Sequence, residues 1–442
     1  MHAAKPTWPY WALALLPPVF LVVCLARWFV HVPYLDQWWL LPLVVAQREG
    51  TLVFAEIWHQ NAEHRLFFPK IIMLFLARCS DWDLRWEIGA NLFFSLSAFG
   101  VVLLQLRRTE KLTRSHTQPI FYPLISFVLF SLAPFENWLW SWQMPYFLIQ
   151  FCLVVLAYGL GMNQKRVLSW GLAITSATVA SLSFATGVAV WFSGAGVILL
   201  TAPKRRVWRF LLLWMLWGSI VVALYSVGYQ FLRWNDPVAA ITRVTHLIGY
   251  VFVYLGAALV PTHWINAAGV LGASYLILFF TLWAIALRSP VRRRLAMAPY
   301  LGWMTFAIGA ALLTAAGRSN VHEIVQAMTP RYITFTQLGW LGGVLALHVG
   351  RKTIPTNRSL RSKAIVLAQL AISVGFAVAY ANGLQGMKWL SGEIRQGRDA
   401  LITTQELRAI RKLYVVPEQL RDEFLPLMTK YRLGPFARET RH

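Results

Sequence analysis

Basic residues in this chain gather in five short clusters, each lying against the end of a long apolar run. The clusters are Arg107-Arg108 to Arg114, Lys165-Arg166, Lys204-Arg205-Arg206 to Arg209, Arg288 with Arg292-Arg293-Arg294, and Arg351-Lys352 to Lys363. Lys and Arg close to the ends of apolar segments mark the cytoplasmic side of a membrane. Keeping all five clusters on one side restricts which apolar runs can cross. Spans are expected at 9–30, 85–107, 119–134, 144–162, 167–184, 186–202, 209–230, 267–287, 297–316, 331–350 and 364–382. That is about eleven helices of roughly 20 residues each, with the N-terminus inside and the C-terminus outside. The expected fold class is all-α: a polytopic transmembrane helical bundle, residues 1–382, with a small helical tail.

Composition agrees with a membrane protein. The chain is 57% hydrophobic and 13% charged, against about 45–50% apolar and about 25% charged in soluble domains. A net charge of +23 would in a soluble domain point to nucleic acid. Membrane orientation accounts for it here, and no nucleic-acid partner is expected. Cys24, Cys79 and Cys152 lie in or beside apolar runs at no metal-ligand spacing and read as small hydrophobes. Residues 9–30 are too long for a signal-peptide core, so they are expected to stay as the first span.

Three apolar stretches fit an outer surface better than a crossing. Residues 66–79 and 247–260 are short, and a crossing at either would carry a basic cluster outside. Segments of 10–14 apolar residues are often re-entrant or interfacial. Residues 35–48, with Trp38 and Trp39 suited to headgroup depth, form a third interfacial helix within the first outer loop, 31–84. Residues 383–442 lose apolar density and gain charge. Their Leu390, Ile394, Leu401, Leu407, Ile410 and Leu413 recur at helical spacing, giving an extracytoplasmic tail packed on the outer loops. GxGxxG and P-loop patterns are absent.

The polar residues with chemical potential collect in the outer loops. The first loop carries Asp36 and then His59-Gln60-Asn61-Ala62-Glu63-His64-Arg65, held between the apolar anchors Ile57-Trp58 and Leu66-Phe67-Phe68. Ionisable groups beside apolar segments are costly unless they are paired or solvated, which makes the cluster a site hypothesis. The bland reading of the cluster is a solvated loop. Asp36 beside two tryptophans suits a carboxylate of raised pKa and general-base work. Its bland reading is an N-cap for residues 37–48. Arg65 offers a planar fork for phosphate.

The second outer loop reads Phe135-Glu136-Asn137-Trp138-Leu139-Trp140-Ser141-Trp142-Gln143. Its tryptophans read either as an aromatic belt or as a platform for a sugar face, with Glu136, Asn137 and Gln143 supplying hydrogen bonds. A later loop carries Gly317-Arg318-Ser319-Asn320, His322 and Thr329-Pro330-Arg331-Tyr332. Outer arginines run against the positive-inside bias, so Arg318 and Arg331 suit an anionic headgroup or a polyprenyl phosphate; the alternative is snorkelling to the interface. Asp36, Glu63 and His64 are the residues available to a divalent cation such as Mg or Mn, although no tight spacing marks a metal site.

An Asp early in the first outer loop, interfacial helices in that loop and arginines in later outer loops resemble the glycosyltransferase-C superfamily. Asn61-Ala62-Glu63-His64-Arg65, Gly317-Arg318 and Pro330-Arg331-Tyr332 look like segments of bacterial membrane proteins of that type. Many members carry two adjacent acidic residues where Leu35 and Gln37 here flank Asp36. The resemblance implies a multi-pass enzyme of the bacterial plasma membrane. It would take sugar from a polyprenyl-phosphate-linked donor, among membrane lipids, and pass it to a glycan or lipid acceptor outside. It further implies Asp36 as base, Glu63 and His64 orienting hydroxyls, and Arg65, Arg318 or Arg331 stabilising the leaving phosphate. His59, Asn61, Trp142, Gln143, His322 and Tyr332 would complete the substrate site. One carboxylate and no covalent partner imply inversion.

Two other classes compete. A polymerase or ligase of the O-antigen type also uses lipid-linked sugars, but places its largest outer loop late. A transporter places ionisable groups at mid-span and shows repeat symmetry, whereas this chain keeps its charges at the rims.

Overall fold

A computed structural model describes residues 8–115, 118–162, 167–230, 243–351 and 358–437. Lys165-Arg166 and Lys352 of the basic clusters lie outside them. The chain runs α1 (Trp8–Trp28), a 3₁₀ turn (Leu35–Leu40), α2 (Leu41–Glu49), α3 (Phe54–Trp58), α4 (Phe67–Ser80), α5 (Leu84–Thr113), α6 (Phe121–Leu129) and α7 (Phe135–Leu139). It continues through α8 (Met144–Gly161), α9 (Val167–Ser181), α10 (Val190–Thr201), α11 (Val207–Ser226) and α12 (Val244–Gly256). Last come α13 (Ile265–Arg288), α14 (Val291–Arg318), α15 (Ile333–Gly350), α16 (Arg358–Ile402) and a tail of short turns. Among the described residues there is no strand, only an isolated bridge between Asn61 and His64.

Among the described residues, eight helices are long and apolar enough to cross a membrane: α1, α5, α8, α11, α13, α14, α15 and α16, with α8 and α15 extended by the 3₁₀ turns before them. The protein is therefore a multi-pass, all-α membrane protein. Helices α8, α14 and α15 are buried along most of their length, and α1, α11, α13 and α16 leave most of theirs bare. The bare faces are apolar, which suits lipid. Glycine lets the central helices touch: a Cβ at Gly342 of α15 would lie 2.6 Å from the Tyr300 carbonyl of α14.

Side-chain contacts define the two ends of this bundle. At one end Thr109 and Tyr300 share a hydrogen bond of 2.9 Å, Arg294 donates to the Leu200 carbonyl at 3.1 Å, and His348 meets the Phe121 ring. Arg107, Arg108, Arg114, Arg293 and Arg351 belong to this basic end. The opposite end holds Asp36, Glu63, Glu87, Ser141, Arg318 and Arg331. Both ends of α4 lie there, since Phe67 N–H donates to the Leu182 carbonyl at 3.0 Å and Trp82 donates to Glu87 at 3.2 Å. There too α12 packs Tyr250 on Gln326 and Tyr254 on Tyr332.

Several sequence expectations change. Of the eleven expected spans, 119–134 contains only the nine-residue helix Phe121–Leu129. Pro134 bars a helix from running on to residue 134, because it lacks an N–H and its ring would clash with the carbonyl of Phe130; the helix ends before that, with Phe130 as its C-cap. Residues 167–184 and 186–202 yield shorter helices, the second opened by a 3₁₀ turn at Ala185–Ala189. The expected helix 35–48 divides into a 3₁₀ turn and α2, with Pro42 in the first turn of α2. No break falls at 383. Helix α16 has 45 residues, about 68 Å at 1.5 Å per residue, and Met387, Leu390, Ile394 and Leu401 keep its buried face going.

The protruding half of α16 carries the tail back over the first loop. Leu35 N–H donates to the Leu413 carbonyl at 2.7 Å, and Trp39 Nε1 to Tyr414 Oη at 3.1 Å. Trp38 stacks on Phe424, with ring centroids 6.0 Å apart. Arg48 donates to the Tyr431 carbonyl, and Gly434 N–H to the Asp81 carbonyl.

Candidate functional site

Asp36 lies between two pinned neighbours. Leu35 adopts φ +48°, a left-handed conformation that costs a leucine about 1–2 kcal/mol. On the other side Gln37 is buried, and its Nε2 donates to Glu87 Oε2 at 2.8 Å and to Ser141 Oγ at 2.6 Å. Ser141 and Trp82 also donate to Glu87, so one buried carboxylate takes three donors and ties the turn to α5. Asp36 itself caps nothing, since Tyr34 holds the N-cap position of the turn. It makes no hydrogen bond or ion pair with the described residues, and its side chain is exposed. Its exposure is to a recess rather than to open solvent. The protein around that recess raises the carboxyl pKa above the ordinary aspartate value, while the charges of Arg331 and then Arg318 pull it back down.

The 59–65 segment forms a tight turn. Asn61 and His64 exchange backbone hydrogen bonds of 2.8 and 2.9 Å across it. Ala62 supplies the reversal at φ +47°, again a strained non-glycine residue directly before an acid. Glu63 forms an ion pair with Arg318, and its Oε1 lies 3.5 Å from His64 Nε2. The His64 ring stacks on Phe184 at 3.6 Å. Burial, aided by the charge of Arg331, pushes its pKa down to about 3, so the imidazole is neutral at pH 7. His64 Nδ1 and Asn61 Oδ1 are buried without a hydrogen-bond partner among the described residues.

Arg65 and His59 stand apart from this recess. Arg65 is buried, and its guanidinium donates to the backbone carbonyls of Tyr225 and Val227, both at 2.8 Å, and of Trp58. It also covers the Trp58 ring at 4.5 Å. With its fork occupied by carbonyls, Arg65 is a structural clamp, which corrects its assignment to phosphate. His59 turns its side chain to solvent and contributes its carbonyl to Lys70 Nζ at 2.6 Å.

Arg318 ends α14 and Arg331 precedes α15. Arg331 Nη1 lies 4.0 Å from Glu136, and its guanidinium is 5.8 Å from the Tyr332 ring. Both arginines keep about a third of their side-chain surface open, 28% and 31%. Asn137 fixes this corner from below, donating to the Arg331 carbonyl at 2.9 Å and to Thr334 Oγ1 at 2.8 Å. Burial raises the Glu136 pKa, and Arg331 opposes the shift. Tyr332 is buried and receives a hydrogen bond from Gln326 at 2.9 Å. His322 is exposed; the surrounding protein, then Arg318 and Arg331, lower its pKa.

The tryptophans of the second loop form neither a belt nor an open platform. Trp138, Trp140 and Trp142 are all buried, as is Gln143. Trp138 donates to the Ser131 carbonyl at 2.8 Å, and Trp140 meets Tyr34 edge-on. Asp36, Glu63, His64, Glu136, Arg318 and Arg331 thus share one electrostatic neighbourhood, with His322 and Tyr332 at its edge. Glu87 and Phe184 are the contributors that sequence reasoning missed. An acid inside an apolar run was a readable signal for Glu87; Phe184 had none.

The acids are drawn apart by their partners, Glu63 to Arg318 and Glu136 to Arg331. Among the described residues no three His, Cys, Asp or Glu side chains come together to hold a metal ion, so Asp36, Glu63 and His64 do not form the cation site that their residue types alone would allow. No family model, curated protein or solved structure matches the chain. Chemically, the recess offers a carboxylate, unpaired among the described residues, in the field of two guanidinium groups whose present acidic partners are displaceable side chains.

Proposed function

We propose that this protein transfers a sugar from a polyprenyl-phosphate donor to a glycan or lipid hydroxyl on the extracytoplasmic side of a membrane. The observation that carries the reading is Asp36, an acid without a contacting partner among the described residues, in the field of Arg318 and Arg331. Asp36 takes the proton of the acceptor hydroxyl. The acceptor oxygen attacks the anomeric carbon, the bond from that carbon to the phosphate oxygen breaks, and the electron pair leaves with the phosphate. Arg331 and Arg318 stabilise the charge that develops there. Direct displacement inverts the anomeric configuration. Glu63 neutralises Arg318 until the phosphate displaces it, and His64, neutral and stacked on Phe184, adds no charge to the recess. Arg65 has no part in the step.

The topology belongs to the same proposal. The basic end faces the cytoplasm and the recess faces outward. Helix α6 and the chain to α7 cross from the basic end, where Phe121 meets His348, to Glu136 at the recess, and α9 and α10 cross as a pair: Gly159 packs on Ser169 near the basic end, and Phe184 reaches His64. Helices α4 and α12 stay on the outer side, as their contacts with the recess end support. Cysteines placed at Ser115 and Arg205 would react with a membrane-impermeant thiol reagent from the cytoplasmic side alone; labelling from outside would break this orientation.

Asp36→Asn tests the chemistry. Transfer falls by roughly two to four orders of magnitude, the usual range for a lost general base, while donor binding persists on the arginines. In the unaltered protein the acid limb of kcat/KM lies above the ordinary aspartate range, because only ionised Asp36 accepts the proton. Near-normal transfer by a folded Asp36→Asn protein would remove Asp36 as the base.

A further inference from the structure

Both neighbours of Asp36 are restrained, and one restraint comes from the far end of the chain. Leu35 holds φ +48°, a conformation that leucine leaves readily when nothing opposes it. Its N–H is held by the Leu413 carbonyl at 2.7 Å. The tail secures the same turn twice more, through Tyr414 on Trp39 and Phe424 on Trp38. A change of φ at residue 35 rotates everything that follows it, and Asp36 follows directly. On the other side Gln37 is fixed to Glu87 and Ser141, so residue 36 is left to project into the recess.

We infer that the segment around Leu413, Tyr414 and Phe424 is a positioning element for Asp36, holding Leu35 in the left-handed conformation that aims the carboxylate into the recess. The inference rests on the proposed transfer reaction for its catalytic consequence, but its geometry is testable without that reaction. Release of the tail lets Leu35 relax. The cost of the left-handed state then sets the share of molecules with Asp36 in place, about a tenth if that cost is near the middle of its range. Glycine takes positive φ as easily as negative. Leu35→Gly therefore makes the aim of Asp36 largely independent of the tail.

The test compares Phe424→Ala, Leu35→Gly and the double variant in the full-length protein in detergent. The first readout is the rate at which a cysteine placed at position 36 reacts with a small thiol reagent. The expected result is a change of about tenfold in Phe424→Ala and a return to within about threefold of the parent when Leu35→Gly is added, following the cost of the left-handed state. The second readout is kcat against donor KM in the Asp36 protein, with kcat falling about tenfold, KM staying within about twofold, and Leu35→Gly restoring most of kcat. Unchanged thiol reactivity in Phe424→Ala overturns the inference. So does a loss of kcat and KM together that Leu35→Gly leaves unrepaired, because the tail would then serve general stability. If the parent transfers no sugar, the reaction reading fails while the thiol readout still decides the positioning role. If Phe424→Ala does not fold, Tyr414→Phe, which removes the acceptor of the Trp39 bond, carries the same comparison with a smaller expected change.

Discussion

Two segments at the same end of the bundle carry the same kinds of residue with different outcomes. The 59–65 turn and the 318–331 loop each carry histidine and arginine at the end of the bundle that holds the recess. Arg65 is surrounded by backbone carbonyls, which are part of the main chain at the ends of α3 and α11 and cannot swing aside as a side chain can. Arg318 and Arg331 hold carboxylates, which an incoming anion can displace. The histidines differ as well: His64 is stacked on Phe184, and His322 is exposed. An arginine in a loop at this end of the bundle is thus no evidence of phosphate binding by itself. The nature of its partners separates a clamp on the fold from a clamp on a ligand.

The sharpest way to break that comparison is to remove each arginine. Arg65→Met leaves the carbonyls of Trp58, Tyr225 and Val227 without their donor. Hydrogen bonds to charged groups contribute about 1.5–3 kcal/mol each, and their losses overlap, so a destabilisation of about 4 kcal/mol is expected. Unfolding in detergent would report it. Arg65→Lys should recover only part of the loss, since an ammonium cannot reproduce the fork. A stability within about 1 kcal/mol of the parent, well short of that loss, would end the structural assignment. Arg331→Ala should behave oppositely, folding normally but binding the phosphate donor about 10- to 100-fold more weakly through loss of a charge-assisted contact. Unchanged donor affinity would move the phosphate elsewhere.

These contrasting fates explain what the sequence could and could not reveal. Span-length hydropathy and charge clusters are local properties, so the long helices and the basic end were legible. Pro134 was a local signal too, since a proline there keeps a helix from reaching the residue 134 to which hydropathy alone extends it. Partners of Arg65 lie 160 and 162 positions away at Tyr225 and Val227, and no local pattern links them. Leucine has no preference for positive φ, so nothing marked residue 35 as the turn that presents Asp36. The grouping of Asp36, Glu63 and the two arginines was legible as a set of polar loop residues at the end away from the basic clusters. Which acid stays unpaired was not, because that depends on which carboxylate reaches which arginine.

The histidine contrast gives a pH prediction. The folded protein keeps His64 neutral down to about pH 3, whereas the unfolded chain takes up a proton near pH 6.5. Stability is therefore lost as pH falls from about 6.5 toward 3, by about 2 kcal/mol between pH 7 and pH 5 for this group alone. Unfolding measured across that window in the parent and in His64→Gln should diverge by this amount. His322, exposed, should add far less. Identical slopes in the two proteins would mean that His64 can take its proton without leaving the Phe184 ring.

The smallest expected effect sharpens the difference between fixed and displaceable partners. Glu63 neutralises Arg318 in the resting recess, so an incoming phosphate competes with that carboxylate. Glu63→Gln keeps the side-chain shape and removes the competing charge. Arg318 remains partly open to the recess, which limits the cost of leaving it unpaired. Donor binding should tighten by about two- to tenfold, the range of a partly screened ion pair. Raising the salt concentration should shrink the difference. Equilibrium binding of a short-chain phosphate-sugar donor to both proteins, at low and at physiological salt, would measure it. Weaker binding by Glu63→Gln would mean that Glu63 holds Arg318 in the geometry the phosphate needs, and the ion pair would then be part of the fixed scaffold, as Arg65 is.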